Sequence, residues 1–576
     1  MSYNTNTSKA LEDGGVDLPS DLDWRRLQIQ YEKLLQQPLE TVAGLQHWIS
    51  GCERLNDQVS EAFCWLYIHL SRDSSDEQAT NRFHHAIEHI APGVARYEQL
   101  LYRRLVECPL ASHLDPDHYR IHLRRVQNAV QLFRKENIPL DTRAKLTAKE
   151  YGRIFSQMTV GHNGRQLTLQ KATALLEQPD RGARQRLYRE INQRILRDNE
   201  EVEELFDELL LIRQQIARNA GFANYRDYVF RELERFDYSY EDCYAFHESI
   251  REEILPILDN LYHRRRVALG LPALRPWDLN IDAHGREPMR PFHSVEDLLE
   301  KGAACLDAIH PLFGSVLRQL RSMGHLDLES RPGKRQGAYN IPLFVTGVPF
   351  VFMNASDSPA DIRTLMHESG HAVHSYLHRE EPLSTSKRLP SEISELAAMS
   401  MELLSMEHWD VFFADEGEQI RARINQLEMV LKVLPWIATI DKFQHWIYTH
   451  HGHSRDERRQ AWRQILYEFT PQNLEYSGLE DDLDALWLKQ LHLFEAPFYY
   501  IEYGFAQIGA IGIWRAYRQD PAGSVDRYQR ALRMGYTDTV RAVYETAGVP
   551  FDFSRSRLAT LGAFVREQIE VLFTPS

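Results

Sequence analysis

The sequence predicts a mainly α-helical protein with a small β section beside one buried helix. Three observations predict it. Apolar residues recur at three-to-four spacing through most of the 576 residues. Strand-like stretches punctuated by glycine and proline are short, the main one lying at 331–358. The stretch Leu365-Met366-His367-Glu368-Ser369-Gly370-His371-Ala372-Val373-His374 carries the pattern H-E-x-x-H inside a helical apolar context.

The elements follow in order. From Asp23 to about Glu107, Leu27, Tyr31 and Leu34, then Leu45, Trp48 and Ile49, then Phe63, Leu66 and Leu70 fit amphipathic helices packed as hairpins. Ser71 to Asp76 is a turn, and a further helix covers about Pro116 to Glu136. No fixed-period repeat is present, which disfavours a solenoid. Met158 to Leu169 reads as a β-hairpin around Asn163-Gly164. A long charged helix is expected from about Asp180 to Asn219, bridging an N-terminal helical lobe with its hairpin (1–200) to a catalytic domain (201–576). Helices resume at 237–269. The proline-rich stretch 272–291 is irregular, with Trp277 and Asp278 in a short strand, and 295–323 is helical. In the β section that follows, Pro349 suits an edge strand. Ser358-Pro359-Ala360-Asp361 marks the start of the helix carrying the two histidines, with an N-cap, a proline at the first position and an acid at the third. Pro382 stops it. Another helix starts near Ser391, and helices continue to Phe573.

Hydrophobic content of 43% and charged content of 26% describe an ordinary globular chain. A net charge of −15 argues against nucleic acid as a partner. The five cysteines (Cys52, Cys64, Cys108, Cys243, Cys305) have no C-x-x-C spacing and suit reduced thiols. Met1 to Ser20 lack an apolar segment, so no signal peptide is expected. No run is long enough to span a bilayer. The protein is expected in the cytoplasm, without a membrane partner, as a monomer or weak homo-oligomer.

H-E-x-x-H is the zincin motif. On a helix, His367 and His371 lie one turn apart on one face and can grip one zinc ion. Glu368 is offset enough to reach a water rather than the ion. Zinc needs a third protein ligand. In Ser391-Glu392-Ile393-Ser394-Glu395-Leu396-Ala397-Ala398-Met399-Ser400-Met401-Glu402, Glu395 is an acid among small and apolar residues, where a buried carboxylate needs a cation. Glu395 is therefore assigned as third ligand, the gluzincin arrangement. Glu402, seven residues on and on the same face, is assigned as an acceptor for a ligand histidine. Glu392 is the rival ligand. The metzincin pattern fails because His374 and Leu377 stand where it needs glycine and histidine. Thr449-His450-His451-Gly452-His453 lies in a turn and lacks a carboxylate at helical spacing, so one zinc per chain is expected.

These segments resemble the M3 family of zinc oligopeptidases, the thimet oligopeptidase and oligoendopeptidase F group. Arg331-Pro332-Gly333-Lys334-Arg335-Gln336-Gly337-Ala338-Tyr339 is similar to the loop ahead of that family's substrate-binding strand, and Pro349-Phe350-Val351-Phe352-Met353-Asn354 to the strand itself. Ser394-Glu395-Leu396-Ala397 and Pro497-Phe498-Tyr499-Tyr500-Ile501-Glu502-Tyr503-Gly504 extend the likeness. Ala220-Gly221-Phe222-Ala223-Asn224-Tyr225 and Pro276-Trp277-Asp278-Leu279 are similar to the oligoendopeptidase F branch. The resemblance implies a two-lobed helical ellipsoid with a deep cleft and turnover of oligopeptides.

The function expected is a zinc-dependent endopeptidase acting on internal bonds of short unfolded oligopeptides. Glu368 serves as general base and acid. Tyr503, with Tyr500 and His492 as companions, donates to the oxyanion. Tyr499 and Tyr503 share a face at spacing four, and Tyr500 and Tyr503 at spacing three, so spacing leaves the pair open. The alternatives are a related helical zinc carboxypeptidase or dipeptidyl carboxypeptidase, and a helical interaction protein with an inactive zinc fold.

Overall fold

The computed structural model describes residues 22–162 and 164–574. The expectation for Met1 to Ser20, and Asn163 of the hairpin turn, lie outside the described residues. Among the described residues helices dominate, with two small sheets. The elements that build the site and its surroundings are α1 (Val42–Arg72), β1 (Thr159–His162), β2 (Arg165–Thr168), α2 (Tyr240–Ser249), β3 (Leu326–Glu329), β4 (Tyr339–Ile341), β5 (Phe350–Ala355), α3 (Pro359–Leu377), α4 (Ser391–Ser405), α5 (Glu416–Thr449) and α6 (Tyr500–Gln519).

Apolar periodicity sorts the chain into cores. One gathers Leu27, Tyr31, Leu45, Trp48 and Ile49 with the helices up to Val126. A far larger one runs from Ile121 to Ile569 and contains the inward faces of α3, α4, α5 and α6. A third, small cluster joins Ile68 at the end of α1 to Leu343, Phe350 and Phe352. The last turn of α1 is also pinned by polar bonds. Arg335 N donates to Ser71 O at 2.9 Å, and Ser74 N to Gly333 O at 2.7 Å. Lys334 is buried, and its Nζ donates to Asp327 Oδ1 (2.8 Å) and Met353 O (2.6 Å), which ties the 331–335 loop to β3 and β5.

β1 and β2 pair antiparallel, Thr159 opposite Thr168 and His162 opposite Arg165, as the hairpin pattern predicts. Three expectations differ. The helix expected over 180–219 is two, Arg181–Arg197 and Asn199–Asn219, broken at Asp198. Trp277 and Asp278 form a buried 3₁₀ turn rather than a strand, because the Asp278 carboxylate gathers Arg181 (2.8 and 2.9 Å) and Arg184 (3.1 Å). In the main sheet the order is β3-β5-β4, so Phe350–Ala355 is the central strand, parallel to β3 and antiparallel to β4. The reason is composition. Phe350-Val351-Phe352-Met353 is apolar at every position and is buried on both faces. Pro349 precedes the strand and removes no ladder bond within it. The free edge beside α3 belongs to β4.

Candidate metal centre

The helix α3 begins as the sequence predicts. Asp361 Oδ2 accepts from Ser358 N and Ser356 N, both at 2.9 Å, which closes a capping box and fixes the helix register. That register turns His367 and His371 toward α4. Gly370, between them, is the point of closest approach. A Cβ there would lie 2.7 Å from Ala398 Cα and 2.8 Å from Ala397 O. The absence of a side chain lets the two helices cross tightly enough for Glu395 to reach the histidines.

One donor atom from each of His367, His371 and Glu395 lies within 4.8 Å of the other two. Glu395 Oε2 is 3.4 Å from His367 Nε2 and 3.9 Å from His371 Nε2. His367 Nδ1 meets Glu402 Oε1 at 2.8 Å, and Gln426 Nε2 holds the other Glu402 oxygen at 3.0 Å. This bond fixes the imidazole so that Nε2 faces the cluster. Glu368, next to His367 on α3, is buried, and its backbone carbonyl accepts from Asn340 Nδ2 of β4 at 3.2 Å. The rival Glu392 faces elsewhere. Its Oε1 accepts from Tyr238 at 2.5 Å.

The charges around the cluster are strained by burial. Burial pushes Glu395 up from the usual carboxylate range, with His367 opposing. Burial pushes Glu368 up to about 7, aided by the Glu395 and Glu402 carboxylates and opposed by His367. For His367, burial acts against the charged ring. The Glu402 bond and the Glu395, Glu402 and Glu368 charges outweigh it and raise the group to about 10. Glu395 Oε2 and Glu368 Oε2 are buried without a hydrogen-bond partner among the described residues. A buried carboxylate oxygen left unpaired is costly. Two imidazole nitrogens and one such oxygen around a common space form the donor set that zinc takes, so these residues fit the ion.

The aromatic segment lies against this cluster. Tyr499, just before α6, donates its hydroxyl to Glu395 Oε1 at 3.2 Å. Tyr499 and Tyr503 rings lie 5.3 Å apart, Tyr500 and Tyr503 5.6 Å, and His492 and Tyr500 4.8 Å. Gln490 Nε2 meets His492 Nδ1 at 2.8 Å. All four rings are half-buried, unlike most of α6. Burial pushes the Tyr503 phenol upward, with Glu395 adding, so it stays protonated and able to donate. The segment is set by Phe498, whose φ of 66° is left-handed for a non-glycine residue. Phe498 N donates to Gln444 Oε1 at 2.5 Å, and Arg235 holds its carbonyl.

Sequence reasoning brought out His367, His371, Glu395, Glu368 and Glu402, and the structure gathers them. It missed Tyr499 as the partner of Glu395 and Asn340 as the link from β4 to α3. For Tyr499 a signal existed, since it shares the spacing-four face with Tyr503. For Asn340 none did.

The family model described as peptidase family M3 matches residues 174–563, and the M3 N-terminal domain model matches residues 20–133. Among individual proteins, the chain is 24% identical over 300 residues to an oligopeptidase PepF of Bacillus subtilis, spanning 51% of this chain and 44% of that one. It is 23% identical over 296 residues to an oligoendopeptidase F homolog of Borreliella burgdorferi, spanning 50% and 48%. These alignments reach less than half the length of either relative. Among solved structures, PZ peptidase A with an inhibitor superposes with a TM-score of 0.88 at 24% identity, over 95% of this chain and 97% of that one. Oligoendopeptidase F from Enterococcus faecium gives 0.65 at 14% identity, over 96% and 98%. The fold is thus shared along nearly the whole length, and with the family model covering well over half of its residues this chain belongs to peptidase family M3.

Proposed function

We propose that the chain is a zinc-dependent endopeptidase that cuts internal bonds of short, unfolded oligopeptides, with one catalytic zinc per chain held by His367, His371 and Glu395. The observation that carries this is the cluster itself: three donors within 4.8 Å, with Glu395 Oε2 turned to both histidines and without a hydrogen bond among the described residues. When bound, the ion supplies polarisation of the scissile carbonyl and acidifies water toward a pKa of ~7.

The remaining work falls to the chain's own groups. Glu368 accepts the proton of the attacking water and returns it to the leaving amine. Glu402 keeps His367 in one tautomer, and Tyr499 keeps Glu395 in one rotamer. Tyr503, with Tyr500 and His492 beside it, donates to the developing oxyanion. The free edge of β4, tied to α3 by Asn340, offers backbone groups on which an extended peptide adds as a strand. Selection for short chains would come from the deep cleft between two lobes that the family resemblance implies. The names of the PepF and oligoendopeptidase F relatives support this reading.

The test uses peptides blocked at both termini. Internal cleavage that stops on chelation and returns with zinc is expected. Cleavage only of peptides with a free carboxyl terminus favours the carboxypeptidase or dipeptidyl carboxypeptidase reading. No cleavage of any peptide by zinc-loaded protein overturns both.

A further inference from the structure

We propose that Cys243, Asp441 and His445 form a second zinc site, built from elements that carry none of His367, His371 or Glu395. Cys243 and His247 are four residues apart on α2, and Asp441 and His445 four apart on α5. Each pair therefore projects from one face, one turn apart. The two helices pack with these faces together. His247 Nε2 lies 2.8 Å from Asp441 Oδ2, and one donor atom from each of Cys243, Asp441 and His445 lies within 4.8 Å of the others.

All four side chains are buried: Cys243 and Asp441 at 0% exposure, His445 at 2%, His247 at 3%. The plain alternative is an aspartate bridging two histidines to pin α2 on α5. That accounts for Asp441 Oδ2. It leaves Asp441 Oδ1, both ring nitrogens of His445 and His247 Nδ1 without hydrogen bonds among the described residues. His445 Nε2 makes an ion-pair contact with Asp441 Oδ2 at 3.2 Å. Buried polar groups left without a partner are costly. One cation held by an Asp441 oxygen, a His445 nitrogen and the Cys243 sulfur, whose thiol otherwise reaches only Ser239 O at 3.6 Å, takes up two of these ring and carboxylate groups at once.

The donor set names the ion. Sulfur with imidazole and one carboxylate selects zinc or a close transition metal over calcium or magnesium, which take oxygen. Binding converts the Cys243 thiol to a thiolate and releases its proton to solvent. His247 keeps its bond to Asp441 and orients the carboxylate. A pocket of about 440 Å³, lined by His247, His445, Tyr244, Lys442 and Phe469, reaches the histidine side of the site. The ion clamps α2 to α5 and takes no part in turnover.

Full-length metal-free protein titrated with cobalt(II) tests this. Two equivalents should bind. One of them should bring a sulfur-to-cobalt charge-transfer band in the near ultraviolet, which a His/His/Glu site cannot give. Cys243→Ser should abolish that band and keep peptidase turnover, while His371→Ala should keep the band and lose the other equivalent. Absence of the band in the wild type, or its survival in Cys243→Ser, overturns the proposal. If Cys243→Ser does not fold, X-ray absorption of the wild-type zinc protein decides. A sulfur shell at about 2.3 Å supports the site, and nitrogen and oxygen alone at two zinc per chain, or no more than one zinc bound, refutes it.

Discussion

The hydroxyl of Tyr499 donates to Glu395 Oε1 at 3.2 Å, and this bond leaves Oε2 as the oxygen facing His367 and His371. A carboxylate with two free rotamers would lose entropy on binding an ion, and the tyrosine removes that freedom beforehand. Tyr499→Phe should therefore weaken zinc binding by about 10–100-fold, the range for an outer partner of a ligand. Turnover at saturating zinc should stay near wild type. Competition with a chelator of known affinity measures it, and an unchanged zinc affinity would remove Tyr499 from this role.

Tyr503 is expected to act on the substrate instead. Tyr503→Phe deletes one hydroxyl from a half-buried ring and leaves the packing against Tyr499 and Tyr500. The loss in kcat should be on the order of 10²–10³, as for one oxyanion donor, with KM and Tm little changed. A zinc-loaded variant with wild-type kcat would return this ring to a packing role.

Gly370→Ala probes the crossing of α3 and α4. The added methyl meets backbone at 2.7–2.8 Å, which cannot swing aside as a flexible side chain does. Overpacking of this kind costs about 1–3 kcal/mol, read as a fall in Tm. Because the helices must separate, zinc affinity should fall with it. A variant of wild-type Tm and zinc affinity would show that the crossing tolerates a side chain.

How much of this was legible in sequence follows from distance along the chain. The α3 start at Ser358-Pro359 and the facing of His367 and His371 are local, and periodicity shows them. Glu395 was legible because an acid among small and apolar residues needs a partner, and Glu402 because it lies seven residues on, on the same face. For Tyr499 the sequence signal was ambiguous, since two tyrosine pairs share a face within five residues, and the turn at Phe498 goes with the pair that reaches Glu395. The central position of β5 was hidden because a buried strand and an edge strand differ by their neighbours. Cys243–His247 and Asp441–His445 read separately as ordinary helix faces. Nothing in either stretch says that they meet.

The loop that holds β3 and β5 should set an acid limit on stability. Burial would raise Asp327, but Arg331 and Lys334 outweigh it and lower the carboxyl from its ordinary 3.8 to about 2. A group depressed on folding contributes stability that is complete above its unfolded value and fades as pH falls from about 3.8 toward 2. Asp327→Asn should lose that contribution at neutral pH and show a flatter fall in Tm over this window. An unchanged slope would mean that the Lys334 and Arg331 contacts carry no linkage.

The central claim is that Glu368 moves the proton while His367, His371 and Glu395 hold the ion. It is tested most directly by turnover of Glu368→Gln at measured zinc content. The amide keeps the size of the side chain and removes its basicity. With the catalytic site loaded as in the wild type, cleavage of a blocked peptide should fall by 10²-fold or more, the scale of a lost general base. Cleavage at the wild-type rate by this zinc-loaded variant would contradict the account.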